Sequence, residues 1–233
     1  PIDHQRLAQA HLDDGLAGSQ GDVRARHAQR LRARHPLPDG CAALAFADPP
    51  YWVGFKYSNG VTDAQMEYID PAWLAAELQR VGKIAMITPS IGHMYRYPPP
   101  RWVVAWHKPA AMGRNIAGGV NAWEPVLVYG KGKINTDVLT IPIVGQPDAA
   151  FHACPKPLRL MRQIVEYYTQ PGDVVIDFVC GSATTLVAAK MAGRHYLGFE
   201  IDAKIAELSR QRLHNTQPPL FVPAPEQAAM FGD

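Results

Sequence analysis

The stretch VVIDFVCGSATTLVAAK, residues 174–190, decides the fold. Val174, Val175 and Ile176 make the unbroken apolar run of a strand buried on both faces, and Asp177 ends it. Gly181, Ser182 and Ala183 supply a tight turn of small residues, and a helix is predicted over about 184–192. Downstream, a strand is predicted over Tyr196 to Ile201 and a helix over about 203–214. Upstream, PLRLMRQIVEYYT (157–169) reads as a helix. Its apolar face is Leu158, Met161, Ile164, Val165 and Tyr168, and Pro171-Gly172 breaks it.

The same alternation extends further out. Ala42 to Ala47 is a short apolar strand stopped by Asp48-Pro49-Pro50-Tyr51, since prolines cannot continue a ladder. A helix opens at Pro71 (71–80), and strands are predicted at 83–88, 102–106 and 125–129. Residues 130–151 read as irregular, and 1–40 as a polar helical arm carrying Arg24, Arg26, Arg30, Arg32 and Arg34. Apolar strands alternating with helices give an α/β class: a mostly parallel twisted sheet with helices on both faces. Ligands of such sheets bind at the carboxyl ends of the strands, where Asp48 and Asp177 both fall.

Composition narrows the class. With 47% apolar and 19% charged residues among 233, the chain can bury one sizeable core and is neither disordered nor membrane-like. No apolar run approaches the ~18 to 20 residues that span a bilayer. The first residues lack the basic and apolar regions of a signal peptide. Cys41, Cys154 and Cys180 lie far apart with no CxxC pair. No metal site or disulfide framework is therefore expected, and the reading is a cytoplasmic protein. A net charge of +2 is compatible with a polyanionic partner without requiring one.

The turn after Asp177 exposes backbone N–H groups at a helix N-terminus, which suits a carboxylate or phosphate. Asp177 suits an ammonium group and opposes a pyrophosphate. Glu200, at the end of the next strand, is placed to accept ribose hydroxyls. A nucleoside with an amino-acid-like tail satisfies all three, and S-adenosylmethionine fits that description.

Asp48-Pro49-Pro50-Tyr51 offers complementary chemistry. An exocyclic base amine is a poor nucleophile because its lone pair is delocalised into the ring. A carboxylate and a backbone carbonyl held by rigid prolines can accept its two hydrogens, and both strengthen as charge develops on nitrogen. Tyr51 can stack on a base turned out of a duplex.

Several stretches, in order, resemble the amino DNA methyltransferases of the permuted β type. They are ADPPYW (47–52), WHKP (106–109), WEPVLVYGKGK (123–133), HACPKP (152–157), PGDVVIDFVCGSATT (171–185), GRHYLGFEID (193–202) and RQRL (210–213). The resemblance covers about 45–215. It implies a Rossmann-like S-adenosylmethionine-dependent fold in circularly permuted order, with an arm at 1–40, a catalytic domain at 41–215 and a tail at 216–233. It implies Asp48, Pro49, Pro50 and Tyr51 as the catalytic motif, and Lys156 and Pro157 beside the cofactor's carboxylate end. Asp177, Val179, Gly181, Ser182, Thr184 and Thr185 would form the cofactor loop, with Glu200 and Asp202 toward the ribose. The implied partner is double-stranded DNA, with room for a homodimer and a cognate restriction nuclease. An Asp-headed motif leans toward adenine N6 over cytosine N4.

The chain departs from the family where Phe178, Val179 and Ala183 replace a proline, an aromatic and a glycine. Ala183 adds a Cβ where the backbone is expected to be open. The region 130–151 is short for a target-recognition domain, so recognition falls to loops at 52–68 and 107–151. Trp52, Lys56, Arg96, Arg101, Lys108, Arg114 and Asn115 are the DNA-contact candidates, Arg and Asn being able to read base edges. Rival readings are cytosine N4 methylation, methylation of RNA or protein, and a non-catalytic module whose altered loop no longer holds the cofactor.

Overall fold

The computed structural model describes residues 7–9, 37–51, 69–109, 111, 113–115, 118–131, 136–143, 155–200 and 202–217. Eight strands form one sheet: β1 (Leu7–Gln9), β2 (Ala42–Ala47), β3 (Gly82–Ile87), β4 (Trp102–His107), β5 (Trp123–Gly130), β6 (Val138–Thr140), β7 (Val174–Asp177) and β8 (His195–Glu200). Among the described residues four α-helices accompany them: α1 (Pro71–Val81), α2 (Leu158–Tyr168), α3 (Thr184–Met191) and α4 (Ala203–Asn215).

The strand order is β1-β8-β7-β2-β3-β5-β4-β6. Every neighbouring pair is parallel except β3–β5 and β5–β4, so β5 alone runs against the rest. The expected mostly parallel sheet is present.

Alternation along the strands divides the core into two layers, as the two-residue period of a strand requires. Leu44, Phe46, Ile84, Met86, Val126 and Val128 pack with Leu160, Ile164, Leu186 and Leu213, from α2, α3 and α4. Ala45, Ala47, Ala85, Ile87, Leu127 and Tyr129 pack with Leu74, Leu78 and Val81 of α1 on the other face. Helices therefore cover both faces.

Local chemistry sets the ends. Asp70 caps α1 by accepting from Trp73 N at 2.7 Å, with Pro71 behind it. Gly82 joins α1 directly to β3, because a Cβ there would lie 2.7 Å from the Ala45 methyl. Two expectations are corrected. Residues 138–140, read as irregular, pair with Ala105–His107 as β6. Residues 7–9, read as helix, pair with Gly198–Glu200 as β1, and the rest of 1–36 lies outside the described residues. Among the described residues no helix is long and apolar enough to cross a membrane.

Candidate active site

Sheet order brings the two distant acids together. Phe46 of β2 pairs with Asp177 of β7. From β7 the chain continues to β8 on one side, whereas β2 leads to β3 on the other. Such a switch point opens a crevice at the carboxyl ends of the strands. Phe178 N donates to Phe46 O at 3.0 Å and Thr88 N to Ala47 O at 3.1 Å, tying both flanking turns to the end of β2. Pro49 and Pro50, lacking N–H groups, end the ladder there.

Asp48 is the centre of a charged cluster. Its Oδ1 accepts from the Thr88 hydroxyl at 2.7 Å, and Lys156 Nζ lies 2.7 and 2.8 Å from its two carboxylate oxygens. Lys156 also donates to the Tyr51 hydroxyl at 2.9 Å and sits 5.0 Å from that ring's centroid. The Tyr51 hydroxyl is 3.1 Å from Glu124 Oε2 and 3.3 Å from Asp48 Oδ1. Glu124, near the start of β5, accepts from Lys108 Nζ at 2.8 Å through its other oxygen. Carboxylates and ammonium groups thus alternate along the line Asp48, Lys156, Glu124, Lys108.

Alternation fixes the charge states. Burial alone would push the Lys156 ammonium down, but Asp48, Tyr51 and Glu124 together outweigh it and hold it well above the ordinary lysine range. Burial would likewise raise Glu124, yet Lys156, Lys108 and the Tyr51 hydroxyl keep it below the usual carboxylate range. Burial and the adjacent Asp48 push the Tyr51 phenol well up, so it remains a neutral donor. Asp48 therefore presents its carboxylate to N–H donors at charge-assisted distances.

The second half of the crevice is the turn after β7. Asp177 is buried and accepts from Val179 N at 3.1 Å. Its burial prevails over the Thr185 and Val179 hydrogen bonds and, with Asp48 and Glu200 nearby, raises its carboxyl to about 7. Gly181 (φ 49°) and Ala183 (φ 61°) both take left-handed backbone. Ala183 is fully buried among the core residues of the α2–α4 face.

The chain matches the family described as DNA methylase over residues 144–211. Among curated relatives it is 26% identical over 207 residues to a putative methylase, YubD, of Escherichia coli strain K12, which takes in 80% of this chain and 88% of that one. It is 31% identical over 121 residues to the type II methyltransferase M.HindIII of Haemophilus influenzae, and 34% identical over 90 residues to M2.MboI of Moraxella bovis. Over these segments the chain is similar to the N6/N4 DNA methylases. These alignments span 39% and 33% of the two type II relatives' lengths, and the family match covers residues 144–211, which carry Asp177 and Glu200. In architecture the chain is similar to the M1.HpyAVI–SAM complex (TM-score 0.59, 20% identity, 89% of this chain and 99% of that one). It is also similar to PvuII DNA methyltransferase, titled cytosine-N4-specific (TM-score 0.55, 17% identity, 76% and 80%).

Within this methylase fold the expected residues fall into place unevenly. Asp48 and Tyr51 join the cluster of Lys156 and Glu124, whereas Ser182, Thr184 and Thr185 are buried, the first two against Arg212 of α4. Lys156 contacts the Asp48 carboxylate, and Pro157 is the residue before the first turn of α2. Asp202 is engaged as the N-cap of α4, accepting from Lys204 N at 2.9 Å and Ile205 N at 3.1 Å, while its own N–H reaches Glu200 Oε1 at 2.9 Å.

The DNA candidates divide similarly. Lys108 is buried in the ion pair with Glu124, which removes it from a phosphate-binding surface. Asn115 holds a hairpin together, accepting from Gly119 N at 3.1 Å and donating to Val120 O at 3.3 Å. That hairpin, where Arg114 bridges to Val120, prolongs the β4–β5 ladder past the carboxyl edge of the sheet and leaves Arg114 exposed on the side of the crevice. Arg101 precedes β4, at the opposite edge of the sheet, and is not brought to the site. Arg96 is exposed on the 3-10 turn Met94–Arg96 between β3 and β4. Trp52 and Lys56 lie outside the described residues. Two members of the cluster, Thr88 and Glu124, are not among the residues that sequence reading singles out. Glu124 sits in the WEPVLVYGKGK stretch, yet no spacing rule ties it to Asp48.

Proposed function

We propose that the chain transfers a methyl group from S-adenosylmethionine to the exocyclic N6 amine of adenine in DNA, after the base is turned out of the duplex. The observation that carries this reading is the pairing of Phe46 with Asp177, which puts the Asp48 carboxylate and the Asp177 turn in one crevice. The residues of the turn suit the cofactor. A buried carboxyl poised near 7 gains from a neighbouring cation, Gly181 leaves the backbone open, and Glu200 ends the adjacent strand where ribose hydroxyls are held. Asp177, Gly181, Ser182, Thr184 and Glu200 would hold it. When bound it supplies an electrophilic sulfonium methyl.

The chain's own residues then prepare the amine. Asp48 accepts one amine hydrogen, and a carbonyl of the rigid proline pair accepts the other. This localises the nitrogen lone pair and stabilises the positive charge that develops on it. Lys156 now occupies both Asp48 oxygens, so the incoming amine must displace it. Glu124 Oε2, 3.7 Å from Lys156 Nζ, is the carboxylate toward which it retreats. Tyr51 offers its ring to the base. Double-stranded DNA is the partner in this reading and, as the type II relatives suggest, a nuclease of matching specificity would accompany it.

The test is incubation with unmethylated DNA and S-adenosylmethionine, followed by digestion and mass spectrometry of the nucleosides. N6-methyladenine is expected. N4-methylcytosine would transfer the assignment to the other amine, and the absence of any methylated nucleoside while both ligands bind would sink it.

A further inference from the structure

The turn between β7 and α3 passes through an N-cap residue whose side chain cannot cap the helix. Ala183, an L-residue with a side chain, occupies the left-handed region at φ 61°, ψ 29°, and no side chain caps the first turn of α3. Left-handed backbone is disfavoured for any residue that carries a Cβ. Asp177 holds the turn from within, through Val179 N and Thr185, and two side chains of α4 reach the strained Gly181–Thr184 part from outside. Arg212 Nη1 donates to Ser182 O at 2.6 Å, to the Thr184 hydroxyl at 3.0 Å and to the Ser182 hydroxyl at 3.4 Å. Ser209, itself buried, donates its hydroxyl to Gly181 O at 2.6 Å. Two consecutive carbonyls before Ala183 are thus drawn toward α4, leaving the opposite side of the turn to the crevice.

We infer that Arg212, assisted by Ser209, is a positioning residue for cofactor binding: it locks the Gly181–Thr184 turn in its ligand-accepting shape without touching the ligand. This rests on the cofactor assignment above. A planar guanidinium is suited to the task because one nitrogen can serve a carbonyl and a hydroxyl at fixed angles, and its charge makes each bond worth more than a neutral one.

The test compares the unaltered chain with Arg212→Met, which keeps the apolar stem, and Arg212→Lys, which keeps the charge. The readouts are calorimetric affinity for S-adenosylmethionine and the melting midpoint of the ligand-free protein. If the unaltered chain binds no S-adenosylmethionine, the cofactor assignment fails and this inference with it. If it binds, Arg212→Met should weaken affinity by roughly tenfold or more, with Arg212→Lys intermediate. Methylation at saturating cofactor should stay within about twofold of normal. Affinity within about twofold of the unaltered chain, whatever the melting midpoint does, would overturn the inference and leave Arg212 as a prop of the fold alone. Should Arg212→Met fail to fold, Arg212→Lys and Ser209→Ala carry the same comparison.

Discussion

Lys156 and Asp48, 108 residues apart in sequence, meet with the ammonium nitrogen within 2.8 Å of both carboxylate oxygens. A lysine N–H thereby fills the position that the proposed reaction assigns to an amine N–H of the base. Replacing Asp48 by Asn keeps the shape but turns one acceptor into a donor. Methylation should then fall by about 10²- to 10³-fold. Cofactor affinity should hold within about threefold, because Asp48 serves the amine. Single-turnover rates and calorimetry check the two halves separately, and parallel loss of both would refute the division of labour.

Glu124 supports the same cluster from the far side. Glu124→Gln leaves the Lys108 ammonium buried without a charged partner, which should destabilise the fold by roughly 2 to 3 kcal/mol in urea titrations. It also leaves Lys156 balanced by Asp48 alone, so the base displaces it less readily. Turnover efficiency on DNA should drop about tenfold, mostly through KM for DNA, while Glu124→Asp recovers part of it. A variant with normal efficiency on DNA would show that Lys156 does not need a second carboxylate.

Asp177 predicts a pH dependence of stability. Its carboxyl rises from an ordinary 3.8 to about 7 in the fold, so the native state keeps a proton that the unfolded chain has lost over that interval. The ligand-free protein should therefore lose stability from this group as pH climbs from about 4 to 7, by up to about 1.4 kcal/mol per unit, and level off above 7. Asp177→Asn should flatten that slope and raise stability at pH 8, at the expense of cofactor affinity. In the unaltered chain, binding of a cationic ligand should release a proton and weaken below pH 7. Denaturant titrations at pH 5.5 and 8, and calorimetry in buffers of different ionisation enthalpy, read these effects.

Gly198 is the tightest spot beneath the cofactor turn. A Cβ there would lie 2.4 Å from Leu186 Cδ1 and 3.0 Å from Cys180 Sγ. Gly198→Ala should cost about 1 to 3 kcal/mol of stability, and because Cys180 begins the turn it should also weaken cofactor binding. An unchanged melting midpoint would mean that Leu186 yields without strain.

Arg114 and Arg101 make a paired prediction for DNA. Arg114→Ala should weaken binding to any duplex sequence and lower the salt slope by about one ion. Arg101→Ala, at the other edge of the sheet, should leave both unchanged. Salt-dependent binding isotherms decide, and the reverse order would place the DNA on a different face.

Much of the fold is legible in the amino-acid sequence. The strands at 42–47 and 174–177 stand out because buried parallel strands need uninterrupted apolar runs, and their terminal acids mark the crevice edge. β6 is not legible: three residues with one buried side chain make no periodic signal. Lys108 reads as a surface cation because position beside a loop says nothing of the acid opposite. That acid, Glu124, becomes its neighbour only once β4 and β5 pair antiparallel. Arg212 and Ser209 are silent for the same reason, since helix-to-turn contacts depend on how α4 docks. Sequence spacing locates the ends of elements, whereas the partners of buried charges follow from sheet order.

Strand order has a consequence for how the chain is made. β7 and β8 emerge late in synthesis, yet β7 is the neighbour that covers one side of β2. Until residues 174–200 have left the ribosome, the apolar segment AALAFA carries an unpaired backbone edge. An exposed apolar edge of this kind invites pairing with other chains. Aggregation during slow or interrupted translation should therefore begin at β2, and truncation between β2 and residue 174 should yield insoluble product.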